Sequence, residues 1–132
     1  MALLEISQLK KTYGTGELAL KGVDVSVEAQ EVVALLGLSG SGKSTLLRCV
    51  NRLVEPDSGQ VVLDGVDITS LGKSALRNAR RTMGMIFQEF NLIDRLTVLE
   101  NVLAGTLGVT GTLRGIFRAF HSDDIPRALE LC

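Results

Sequence analysis

A chain of 132 residues is one domain at most, or a piece of a larger one. Its hydrophobic fraction of 45% marks a globular chain with a core to bury, and a net charge of −1 excludes general attraction to nucleic acid. No apolar run approaches the roughly 20 residues that span a bilayer, and Met1-Ala2-Leu3-Leu4-Glu5 lacks the basic start and apolar stretch of a signal peptide.

Ala2 to Leu9 is predicted as a first strand, followed by a loop, Lys10 to Gly16, that holds the single tyrosine, Tyr13. Val23, Val25 and Val27 alternate with Asp24, Ser26 and Glu28, the period-2 pattern of a half-buried antiparallel strand. Glu31-Val32-Val33-Ala34-Leu35-Leu36 is a short apolar run that predicts a buried strand.

Next comes Gly37-Leu38-Ser39-Gly40-Ser41-Gly42-Lys43-Ser44-Thr45, which fits the phosphate-binding pattern G-x-x-x-x-G-K-[ST]. Polyphosphate chemistry explains the residue types. Glycines let the backbone wrap closely round an anion. Successive N–H groups form a nest, and the following helix adds the positive end of its dipole. Lys43 is placed to reach the β- and γ-phosphates and the Ser44 hydroxyl to ligate Mg²⁺. A flexible Gly/Ser loop ending by chance in Lys-Ser is the competing reading. The apolar run before it, and Leu46, Leu47, Val50 and Leu53 at helical spacing after it, supply the strand–loop–helix context that the motif demands.

The helix is expected to run to about Leu53 and to stop at the turn cluster Glu55-Pro56-Asp57-Ser58-Gly59. Val61-Val62-Leu63 and Val66-Asp67-Ile68 flank Asp64-Gly65, a strong hairpin signal. A basic helix follows from Ser74 to about Arg81, then an apolar strand from Met83 to Phe87 leading into Gln88. Thr97 and Glu100 form a capping box for a helix from Val98, and Gly105 to Gly115 is read as a loop. A last helix begins near Asp123 or Asp124 with Pro126 in its first turn. Cys49 and Cys132 make no disulfide framework and are read as plain thiols, which favours the cytoplasm.

The phosphate loop, Tyr13 about two dozen residues before it, Pro56-Asp57-Ser58-Gly59, Asp64-Gly65 and Gly84-Met85-Ile86-Phe87-Gln88 together resemble the ATP-binding subunit of ABC transporters, over the whole chain. Leu46-Leu47-Arg48-Cys49-Val50-Asn51-Arg52-Leu53 is similar to importers of phosphonates or polar amino acids. Leu99-Glu100-Asn101-Val102-Leu103-Ala104-Gly105 and Leu113-Arg114-Gly115-Ile116-Phe117 resemble the phosphonate branch.

The resemblance implies an α/β fold of the P-loop NTPase type: an N-terminal antiparallel β subdomain, an incomplete RecA-like core, and the start of a helical subdomain. Residues 1–90 would be the ATP-binding core part and 91–132 the beginning of the helical subdomain. It further implies ATP and Mg²⁺ as cofactors, with the phosphates on Gly37 to Thr45, adenine stacked on Tyr13, and Ser44 and Gln88 at the metal or attacking water. A loop tyrosine with its body on the core is the plain alternative for Tyr13, and an ordinary polar residue at a strand end is that for Gln88. Transmembrane permease subunits and a second ATP-binding subunit are the implied partners, at the inner face of the cell membrane.

Leu38 stands where the family usually has proline. The family's acidic strand end, its Leu-Ser-Gly-Gly-Gln-like signature and its later histidine have no match. Val61-Val62-Leu63-Asp64 runs into Gly65 and makes a hairpin, while His121, the single histidine, reads as a solvated surface residue. The chain therefore resembles roughly the first half of such a subunit, and hydrolysis is not expected of it alone. In the family two further strands lie between those ending at Leu36 and Phe87, so Glu31–Leu36 and Met83–Phe87 are expected to be exposed edges that promote self-association. Two other readings stay open: another phosphate-loop enzyme such as a small kinase or GTPase, and a module that binds nucleotide or a partner without turnover. Against a GTPase, Asn91-Leu92-Ile93-Asp94 is the nearest approach to the base-reading Asn-Lys-x-Asp and lacks its lysine.

Overall fold

A computed structural model describes residues 2–14, 16–89, 91–105 and 124–130. The chain divides into two compact units, Met1–Arg80 and Arg81–Cys132. Among the described residues no helix is long and apolar enough to cross a membrane.

The first unit is built on a four-stranded antiparallel sheet in the order β2-β1-β3-β4. Its strands are β1 (Ala2–Thr12), β2 (Leu18–Glu28), β3 (Ser58–Leu63) and β4 (Val66–Asp67). The alternation in β2 places Val23 and Val25 against the core and leaves Asp24 and Ser26 exposed. Asp64, at φ 48, and Gly65, at φ 75, make the β3–β4 turn, both in the left-handed region that this hairpin type requires.

Strand β1 carries a device that simple alternation hides. Ile6 and Leu9 are three apart, so a regular strand would send them to opposite faces. Both are buried, because a bulge intervenes: Ile6 pairs with Val25 and Leu9 with Val23, leaving Ser7 and Gln8 opposite Asp24. Gln8 turns to φ 48, and its N–H donates to Asp24 Oδ1 at 2.7 Å while its side-chain amide meets Oδ2. The parity change keeps Leu9 inside.

Helix α1 (Lys43–Val50) lies on this sheet through Leu46 and Cys49. With Ile6, Leu9, Leu20, Val61, Ile68 and Leu76 they form the core; Leu76 comes from α2 (Lys73–Arg80). Complete burial without a disulfide raises the pKa of the Cys49 thiol through desolvation. Two arginines tie the far end of α1 to the rest. Arg52, at φ 53, donates to the carbonyls of Ile68 (2.9 Å) and Leu71 (2.7 Å) and pairs with Glu55. Arg80 donates to the carbonyls of Asn51 and Arg52, both at 2.8 Å, where a cation complements the negative end of the helix.

The second unit contains α3 (Val98–Ala104) and α4 (Asp124–Glu130), which pack together. Thr97 caps α3 as the sequence predicts: its hydroxyl accepts from Glu100 N–H, and the Glu100 carboxylate accepts from Thr97 N–H at 2.8 Å. Pro126 lies in the first turn of α4, as expected. Most of the Gly105–Gly115 loop, His121 and Cys132 lie outside the described residues.

Two expectations are corrected. Glu31–Leu36 and Met83–Phe87 are not strands, and α1 ends at Val50 rather than Leu53. A strand exists only where a neighbouring backbone completes its ladder, and neither run is paired in the sheet. Their apolar character made them candidates without giving them a place in the sheet. The helix stops because Asn51 leaves the helical conformation and Arg52 takes a positive φ.

Candidate phosphate-binding site

The loop 37–42 enters α1 through Gly42, whose left-handed φ of 91 makes it the N-cap. A Cβ there would lie 2.4 Å from the carbonyl oxygen of Ala19 on β2, so space as well as dihedral preference requires glycine. The helical ladder begins with Leu46 N–H donating to Gly42 O at 2.8 Å. Before it, Ser41 N–H donates to Leu38 O at 3.3 Å, and Gly40 takes φ 80, folding residues 38–41 into a turn.

Lys43 closes the loop from inside. Its ammonium donates to Gly37 O (2.8 Å), Leu38 O (2.7 Å) and Ser41 Oγ (3.2 Å). Three acceptors match its three donors, so the charge is held over the loop rather than out in solvent. The start of α1 has no side-chain cap and no acidic residue in its first turn. Helix-terminal N–H groups, a dipole end and a fixed cation form a donor set that fits a polyphosphate. Ser44 is exposed on the same turn, which suits a hydroxyl ligand to a metal carried by phosphates.

Tyr13 lies in the turn after β1 and is 38% exposed. Its hydroxyl sits 3.2 Å from Thr45 Oγ1 in the first turn of α1, either atom serving as donor. Thus the structure brings Tyr13 to the phosphate loop. Gln88 belongs to the second unit and is exposed, just after the run 83–87.

Sequence reasoning missed the residues around Tyr13's backbone. Asp57 Oδ2 accepts from Thr12 N–H at 2.6 Å, and Oδ1 accepts from Lys11 Nζ at 2.8 Å. Asp57 N–H in turn donates to Lys10 O at 2.9 Å. The Lys11 ammonium, then the Thr12 N–H, holds the Asp57 carboxyl below the usual carboxylate range; Asp57 conversely raises the pKa of Lys11. The available signal was an aspartate in a Pro-Asp-Ser-Gly turn, a residue type that accepts from nearby backbone N–H groups.

Residues 20–130 match the model of the ABC transporter family. The chain is 58% identical over 129 residues to the phosphonates import ATP-binding protein PhnC 1 of Rhodopseudomonas palustris (strain BisB18), covering 98% of this chain and 47% of that protein. To the phosphonates import ATP-binding protein PhnC of Alcaligenes faecalis it is 55% identical, with the same coverage. Among solved structures it is similar to the ATP-binding cassette MJ0796 in a dimeric post-hydrolysis state bound to ADP and Pi, at 37% identity and a TM-score of 0.76, over 96% of this chain and 54% of that one. A nucleotide-free ATP-binding cassette from an ABC transporter gives 28% identity and a TM-score of 0.74, over 98% and 52% of the respective chains. The chain spans about half the length of the curated relatives it matches.

Proposed function

The chain belongs to the ABC transporter family, and from that premise we propose that it is the ATP-binding part of an ATPase that drives import of phosphonates. The observation that carries ATP binding is the uncapped start of α1, with Lys43 folded over the loop that leads into it. The solute class rests on relatives named for phosphonate import at 58% and 55% identity.

In this reading Gly37 to Thr45 hold the phosphates through backbone N–H groups. Lys43 exchanges its longest contact, Ser41 Oγ at 3.2 Å, for an oxygen of a terminal phosphate. Tyr13 stacks on adenine with the open part of its ring. Ser44 would supply an oxygen ligand to Mg²⁺, and the resemblance gives Gln88 the role of meeting the metal or the attacking water. When bound, the metal would supply charge neutralisation at the phosphates. In the complete ATPase, water attacks the γ-phosphate, and catalysis is chiefly positioning and charge stabilisation. Its partners are membrane permease subunits and a second ATP-binding subunit, which places it at the cytoplasmic face of the membrane.

Calorimetric titration with Mg-ATP tests the reading. Lys43→Ala removes a charge-assisted contact of about 1.5–3 kcal/mol, so affinity is expected to fall roughly 10- to 150-fold. Equal affinity in the two proteins overturns it, and GTP binding as tightly as ATP would favour a different phosphate-loop enzyme.

A further inference from the structure

We propose that Asp57 is a positioning residue for the base subsite: by clamping the end of β1 it fixes where Tyr13 presents its ring. The proposal rests on the reading that Tyr13 stacks on adenine.

The geometry is that of a strand running past its neighbour. Strand β3 begins at Ser58, which pairs with Lys10, so Lys11 and Thr12 extend beyond it on that side. On the other side they still pair with β2, Lys11 with Leu20 and Thr12 with Leu18. The outward N–H of Thr12 therefore has no strand carbonyl to meet. Asp57 Oδ2 takes that place at 2.6 Å, and Lys11 Nζ holds the same carboxylate by Oδ1 at 2.8 Å. The side chain adds one rung to the sheet, immediately before Tyr13.

Tyr13 is then held on three sides. Its N–H donates to Glu17 O at 2.9 Å, its carbonyl accepts from Gly16 N–H at 2.8 Å, and its hydroxyl meets Thr45 at 3.2 Å. The first two close the turn on the β2 side. On the β3 side, beyond the Asp57 N–H bond to Lys10 O, the Asp57 side chain is what ties Lys11 and Thr12 among the described residues, and the Tyr13 hydroxyl ties the ring tip to the helix that binds phosphate. Without Asp57 the turn can pivot about the β2 side, and the ring loses its fixed distance from the phosphate loop. Asp57 makes no hydrogen bond to residues 37–45 among the described residues, so the phosphate subsite itself stays intact.

The chain offers its own reporter, because Tyr13 is the single tyrosine and there is no tryptophan. ATP and inorganic triphosphate are titrated into the wild-type chain, Asp57→Ala and Asp57→Asn, by calorimetry and by tyrosine emission. ATP is expected to change the emission of the wild type, and triphosphate to leave it nearly unchanged. Asp57→Ala should weaken ATP by up to the 5- to 150-fold that a stacked base is worth, leave triphosphate affinity within about twofold, and lose most of the emission change. Asp57→Asn keeps an oxygen for Thr12 N–H and should recover most of both. Should Asp57→Ala not fold, Asp57→Glu decides: it keeps the charge near Lys11 but displaces the Thr12 contact, so the same split is expected. Equal weakening of both ligands, or none of either, overturns the proposal. A wild type that binds ATP no better than triphosphate, with unchanged emission, overturns the stacking reading itself, and the role of Asp57 falls with it.

Discussion

At Gly59 the backbone of β3 passes so close to β1 that a Cβ would lie 2.5 Å from Gln8 O and 2.6 Å from Leu9 Cα. Its φ of 94 adds a conformation that other residues rarely adopt. Gly65 has a similar φ, 75, but nothing within 4 Å of its Cβ position. The pair separates strain from contact. Gly65→Ala should cost about 1 kcal/mol, and Gly59→Ala roughly 2–4 kcal/mol, because backbone rather than a side-chain tip must move. Thermal unfolding of the two variants checks this; equal midpoints would show that the bulge yields.

The Asp57–Lys11 pair makes a second residue-level expectation. Asp57 has its pKa lowered, so it contributes stability above its unfolded pKa of about 3.9, lost as pH falls through the folded value. Lys11 has its pKa raised, so its contribution is present below about 10.4 and is lost as pH rises through its folded value. The clamp is therefore complete between about pH 4 and pH 10. Acidification from pH 5 to pH 2 should lower the unfolding midpoint of the wild type more than that of Asp57→Asn. Parallel curves would show that the carboxylate charge adds nothing.

What the sequence revealed follows the range of each interaction. The capping box at Thr97, the Asp64-Gly65 hairpin and the phosphate loop are specified within a few residues, so their spacing could be read directly. The face of β2 was legible over residues 23–28, where its alternation is unbroken. In β1 the bulge at Gln8 depends on Asp24, 16 residues away, and on Gly59 across the sheet. Arg80 reaches Asn51 across 29 positions, and Lys11 reaches Asp57 across 46. No local pattern announces such pairs. For Glu31–Leu36 the limit is different in kind. Composition tells how much a segment gains from burial, while pairing depends on which other backbone lies alongside.

On the scale of the whole chain, those apolar runs decide its behaviour in solution. Every residue from 31 to 40 is exposed, with Val32 at 94%, Leu36 at 92% and Leu38 at 86%. Among the described residues, none makes a hydrogen bond with the backbone of residues 32–36. In the second unit Ile86 is 99% exposed. Isolated surface leucines are ordinary, but a contiguous extended apolar run with free backbone donors and acceptors is a template for pairing. Covering Val32 and Leu36 gains about 1.5–3 kcal/mol each. We therefore expect the 132-residue chain to self-associate, with Glu31–Leu36 and Met83–Phe87 as the contacting segments. Light scattering should give an apparent mass that rises with concentration, and hydrogen exchange in both segments should slow over the same range. Val32→Lys with Leu36→Lys should shift the mass toward that of one chain, since charge on an edge opposes pairing. A monodisperse single chain, with both segments already protected from exchange, would rule this out and require each run to find a partner within its own chain.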